Sequence, residues 1–134
     1  MKYVWLIIIA LAVVACAQTD DSKALTMLSK IEELYDQGAY RQTLDSITSL
    51  REKYPTAIEV RKQALTVWQN ASLKMAQRDV ALTDSSLQAT LRQISSEQNL
   101  YRANMLRIKR DSLKARYDAM CGVVRMIRMR QQQK

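Results

Sequence analysis

The apolar residues of this chain fall into three rhythms. Residues 3–15 form an uncharged, apolar stretch that ends at Cys16. From residue 23 the rhythm becomes helical. Leu25, Leu28, Ile31, Leu34 and Tyr35 recur at spacings of three and four, which predicts one apolar helix face over 23–37. Gly38 suits the left-handed position that ends such a helix. Tyr40, Leu44, Ile47 and Leu50 restart the period, and Tyr54-Pro55 stops it, because proline removes a backbone donor and biases its predecessor away from helix. Thr56 and Glu59 have the spacing of a capping box. A third helix then carries Ala57, Val60, Ala64, Val67 and Trp68 on one face.

The third rhythm is longer. Between Ala71 and Arg130 there is no proline, and the single glycine is Gly122. Either one helix of about 90 Å runs through, at about 1.5 Å per residue, or the chain breaks at Thr83-Asp84-Ser85-Ser86, residue types that favour caps. Leu87, Leu91, Ile94, Tyr101, Met105 and Ile108 keep the spacing, with Gln98 as a polar interruption. Leu113, Tyr117, Met120, Val124 and Ile127 form a second seam, offset from the first. The offset has two readings. One is a stutter in coiled-coil packing. In the other, the two faces meet different neighbours and Leu87–Ile108 folds back over the first three helices. The expected fold is all-α: an antiparallel helical hairpin followed by long basic helices. A single helical domain would cover 23–130, dividing near residue 78, with a disordered tail at 131–134.

Composition narrows the chemistry. The chain has no histidine and two cysteines, Cys16 and Cys121. The usual general base and the commonest metal ligand are both missing. No nucleophile–base pair, flanked carboxylate pair or phosphate-cradling loop stands out. The expectation is a non-enzyme with no cofactor and no metal site.

Val13-Val14-Ala15-Cys16 resembles the lipobox of bacterial lipoproteins. The resemblance implies a signal peptide at 1–15, cleavage before Cys16, and acylation of that residue as the lipid attachment site. An uncleaved membrane span is the least expected reading, because spanning takes about 18 or more apolar residues. Plain secretion with cleavage after Ala17 is the alternative. Two or more acyl chains would make attachment lasting. In that family Asp after the cysteine often marks retention in the inner membrane. Ala17 stands here, so the outer membrane is expected, on its periplasmic side or exposed at the surface. Residues 16–22 would be a tether. Its Thr19-Asp20-Asp21-Ser22 is either a solvated linker or, by resemblance, an acidic export signal.

A second resemblance lies in Leu34-Tyr35, Gly38, Tyr40, Thr43-Leu44, Ile47, Leu50 and Pro55. This pattern looks like a tetratricopeptide repeat over 24–57, with 58–72 resembling the first helix of another. Thr43 is slightly larger than the residue usual in that family. About three repeats are normally needed to bury such a core, so one and a half need further cover. Tyr35, Tyr40 and Trp68 are the expected lining of a groove for a protein partner.

Charge is unevenly placed. The net charge is +8, and residues 102–134 hold ten Lys and Arg against Asp111 and Asp118. Arg102, Lys109 and Arg116 repeat every seven residues, and Arg107, Lys114 and Arg128 make a second row. Asp111 is placed to pair with Arg107, and Asp118 with Lys114. The rows read either as a solvated face or as an anion-binding surface. For an exported protein nucleic acid is not the expected partner; lipid phosphate, lipopolysaccharide or an acidic protein is. Residues 123–134 are a basic amphipathic helix or a frayed end. Cys121 reads as a buried thiol or as the disulfide of a homodimer. The leading expectation is a membrane-anchored lipoprotein acting as a helical adaptor between proteins. The alternative is a structural or anion-binding envelope protein.

Overall fold

The computed structural model describes residues 20–133, so the lipobox and most of the expected tether lie outside the described residues. Among the described residues there are four helices and no strand. Helix α1 covers 20–36, α2 Tyr40–Lys53, α3 Ile58–Ser96 and α4 Leu100–Gln132. The all-α expectation holds. Two compact units divide the chain after Ala71, seven residues earlier than the pattern placed the change. Helix α3 contributes to both.

In the first unit, α1 already includes residues 20–22, which the sequence assigned to a tether. Gly38 ends α1 with φ +76°. Its N–H donates to the Tyr35 carbonyl at 2.9 Å, and the Ala39 N–H donates to the Leu34 carbonyl at 2.9 Å. That pair of bonds is the Schellman motif, and glycine enters its left-handed position without a Cβ penalty. The chain then turns directly into α2. Ala24, Leu28 and Ile31 from α1 meet Ile47 and Leu50 from α2 and Ala57, Val60 and Ala64 from α3. Full burial of an isoleucine or leucine contributes about 1.5–3 kcal/mol.

Two details depart from the pattern. Leu25, expected inside, is exposed, and Ala24 takes its place against the core. Thr43 is wholly buried, and its hydroxyl donates to the Ala39 carbonyl at 3.1 Å. A buried threonine is tolerated because its polar atom is satisfied inside its own helix.

The Thr56–Glu59 capping box does not form. The first intrahelical bond of α3 runs from the Arg61 N–H to the Ala57 carbonyl, so Ala57 holds the cap position rather than Thr56. The Glu59 carboxylate turns outward and accepts from Lys62 Nζ at 2.7 Å.

The second unit is an antiparallel pair, the later part of α3 and α4. Thr83 Oγ1 lies 4.0 Å from Met120 Sδ, and the charge of Asp84 acts on Tyr117, which fixes the register around the turn at 97–99. The helix does not break at Thr83-Asp84-Ser85-Ser86. There Ser86 Oγ donates to the Leu82 carbonyl at 3.0 Å, and one turn later Thr90 Oγ1 donates to the Ser86 carbonyl at 2.9 Å, so both hydroxyls are absorbed by the helix. The break comes at Glu97-Gln98-Asn99 instead, inside the run Leu87–Ile108. Asn99 is the N-cap of α4, its Oδ1 accepting from the Arg102 N–H at 3.1 Å. At the other end, α4 continues through residues 131 and 132, where a disordered tail was expected.

Candidate functional site: the two faces of helix α4

Helix α4 has an inner seam and an outer stripe. The inner seam is Ala103, Leu106, Arg110, Leu113, Tyr117, Met120, Val124 and Ile127, all buried or half-buried at alternating spacings of three and four. On α3 the matching positions are Leu73, Ala76, Val80, Thr83, Leu87, Thr90 and Ile94. An average spacing of 3.5 keeps one seam facing a neighbouring helix over its whole length. The more deeply buried positions on α3 are small: Ala76, Thr83 and Thr90.

The outer stripe has the same period. Tyr101, Met105 and Ile108 lie exposed on it, and Met126 and Met129 continue it near the far end. Tyr101 is 74% exposed and Ile108 64%. Between the two apolar ends stand Ser112, Ala115, Ala119 and Gly122, also exposed. A Cβ built on Gly122 meets nothing within 4 Å, so that point of the stripe is open.

Charge borders this stripe. Arg102, Lys109, Arg116 and Arg130 each follow a stripe residue by one position, which places them along one edge. Among the described residues none of these four makes an ion pair. The acidic groups lie along the other edge and are already engaged. Asp118 accepts from Lys114 Nζ at 2.9 Å, as the four-residue spacing predicts. That hydrogen bond, with the Asp118 charge, holds the Lys114 ammonium above its ordinary pKa. Asp111 pairs with Arg110 at 2.8 Å rather than with Arg107. Arg107 donates to Asn104 Oδ1 at 2.8 Å instead. Arg128 is exposed on the last turns of α4.

At the hairpin tip, Gln93, Ser96, Glu97, Arg102, Met105 and Leu106 line an open groove of ≈ 460 Å³. Met105 belongs to both the groove and the stripe, so the two are continuous. Tyr117 sits on the inner seam. Its hydrogen bond with Cys121, helped by the nearby charges of Cys121 and Asp84, raises its pKa. Cys121 is a free, half-buried thiol.

The aromatics expected to line a groove in the first unit divide between two places. The Tyr35 and Tyr40 rings meet at 5.5 Å, tilted by 54°, across the α1–α2 turn. Trp68 is partly buried against the core and lies under the Arg51 guanidinium at 5.2 Å. Tyr40 and Arg51 are about 16 Å apart along α2 at about 1.5 Å per residue. Two shallow grooves of this unit have other linings, one of Arg51, Ile58, Arg61, Lys62 and Leu65 and one of Lys23, Thr26, Met27, Lys30 and Tyr54.

No family model, curated protein or solved structure matches this chain. Among the described residues no helix is long and apolar enough to cross a membrane, and no cluster of ligating side chains is suited to a metal ion.

Proposed function

We propose that this chain is a non-catalytic lipoprotein of the bacterial envelope, acylated at Cys16 and held at the outer membrane, and that it works as a helical adaptor between proteins. The observation that carries the adaptor reading is the outer stripe of α4. Large apolar side chains stand in solvent there at helical spacing beside a row of cations. Its second unit is a coiled-coil hairpin that presents this stripe; its first is a tetratricopeptide-like one and a half repeats. The lipid supplies the other half of the mechanism. Confinement to one surface raises the effective concentration of a partner on that surface without any new contact.

Intact mass of the membrane-fraction protein tests the tether. The expected species begins at Cys16 and carries a diacylglyceryl group and an amide-linked acyl chain. An unmodified Cys16, or a start at Gln18, refutes it. A photo-crosslinker at Ile108, compared with one at Tyr40, tests which unit meets the partner protein. A discrete adduct from Ile108 is expected. The unengaged cations favour a second reading, an anion-binding envelope protein. Under that reading, binding would vanish above about 0.3 M salt, where exposed charges are heavily screened.

A further inference from the structure

We infer that the outer stripe of α4 is the docking surface for one kind of partner: an acidic amphipathic helix that packs along α4 as a third strand. This rests on the adaptor reading and names the partner's chemistry. Three observations carry it. Tyr101, Met105, Ile108, Met126 and Met129 are exposed at the period that keeps a seam facing a straight partner helix. The middle of the stripe is built from Ser112, Ala115, Ala119 and Gly122, with open space above Gly122. Small side chains there let a second backbone come close, since interaxial distance follows the side chains at the contact. One edge carries Arg102, Lys109, Arg116 and Arg130 without ion pairs among the described residues. A helix with carboxylates at matching heptad positions would neutralise that edge.

The same features disfavour other occupants. A second copy would bring its own α4, with nine cations against two carboxylates, onto an already basic edge. A lipid surface gains from large apolar side chains, and the centre of this stripe offers only small ones. The groove at the hairpin tip, shared through Met105 and Arg102, would take a bulky side chain at one end of the bound helix.

The test uses the full chain in neutral phosphatidylcholine nanodiscs and a synthetic helix of about four heptads, with leucine at 3-4 spacing and glutamate on its flanks. A twin peptide carries lysine in place of glutamate. Fluorescence anisotropy should show the glutamate peptide bound and the lysine peptide free. Ala119→Leu adds bulk without charge at an exposed helical site, so the chain still folds, and it should weaken binding about tenfold or more. Lys109→Glu with Arg116→Glu should transfer binding to the lysine peptide. Leu82→Glu, on exposed α3 surface, should leave binding intact. The inference is overturned if the glutamate peptide does not bind, if binding survives Ala119→Leu, or if Leu82→Glu abolishes it equally. It is also overturned if sedimentation shows a dimer that Ala119→Leu dissociates, or if phosphatidylglycerol vesicles rather than the peptide engage the stripe. A Cys16→Ser chain should bind the peptide unchanged. A failed peptide therefore condemns the docking surface, whereas a failed acylation in the mass measurement condemns the tether.

Discussion

The two glycines of the described chain receive opposite predictions for the same substitution. Gly38 sits at φ +76°, and a Cβ built there meets nothing within 4 Å. Gly38→Ala therefore costs only the backbone term, roughly 1–2 kcal/mol for an L-residue in the left-handed region, reduced slightly by a stiffer unfolded chain. Gly122 is helical and equally open. There alanine removes the helix penalty of glycine and stabilises by about 0.8–1 kcal/mol. With a urea m-value of about 1–3 kcal/mol/M, Gly38→Ala lowers a midpoint by roughly 0.3–2 M and Gly122→Ala raises one by roughly 0.3–1 M. Circular dichroism follows both units. In a truncated variant lacking residues 1–15, Trp68 is the single tryptophan, and its fluorescence follows the first unit. Gly38→Ala should lower the fluorescence midpoint, and Gly122→Ala should raise the midpoint seen by circular dichroism. A neutral Gly38→Ala would deny the left-handed Schellman turn. A destabilising Gly122→Ala would mean that the outer stripe is already covered in the free chain, and the docking argument would fail with it.

Ile47 is wholly buried at the centre of the first unit, so Ile47→Ala should destabilise that unit by about 2–5 kcal/mol, read from the same fluorescence transition. Asn99→Ala removes the N-cap of α4 and should cost about 0.5–2 kcal/mol by thermal melting, with Asn99→Asp close to neutral. The pKa values of Tyr117 and Lys114 are both raised, so the stability they contribute is fully present below their ordinary values near 10.0 and 10.5 and is lost as pH rises through the raised values. A pH titration of the melting temperature should therefore fall above about pH 10, and Tyr117→Phe should flatten that fall; an identical slope in the variant would remove Tyr117 from the account.

The first unit was largely legible in the sequence and the second was not, for a physical reason. In the first unit the turn signals are strong and local. Gly38 and Pro55 act through their own backbone geometry, and the helices they separate appear where the pattern puts them. The errors there are small ones. Ala24 displaces Leu25 from the core because burial follows helix geometry rather than side-chain size. In the second unit the turn at 97–99 contains neither glycine nor proline, and Asn99 alone marks it. The threonine- and serine-rich segment at 83–86 has the residue types of a break but is helical: the Ser86 hydroxyl bonds back to the Leu82 carbonyl one turn earlier, and Thr83 turns inward to Met120 Sδ. The inner seam was half hidden as well. Ala103 and Arg110 belong to it, yet neither reads as a core residue. The apolar run through Tyr101, Met105 and Ile108 continues the spacing of a buried seam in sequence, yet it lies on the outside.

That inversion is also the clue to what the second unit is for. Two helices that touch along one seam need only one apolar stripe each. Helix α4 has two, nearly opposite one another, with the same 3.5-residue period. Burial in the hairpin accounts for the inner stripe. The outer stripe leaves Tyr101 and Ile108 mostly in water, a state that costs roughly 25 cal/mol per Å² of apolar surface relative to covering it. The cations along its edge repel one another, and the two carboxylates of α4 are already spent on Arg110 and Lys114. Both deficits, uncovered apolar area and uncompensated positive charge, lie on the same strip of surface and extend over the same turns. A single acidic helix lying along α4 removes both at once, whereas salt relieves only the charge and a neutral apolar surface only the exposure.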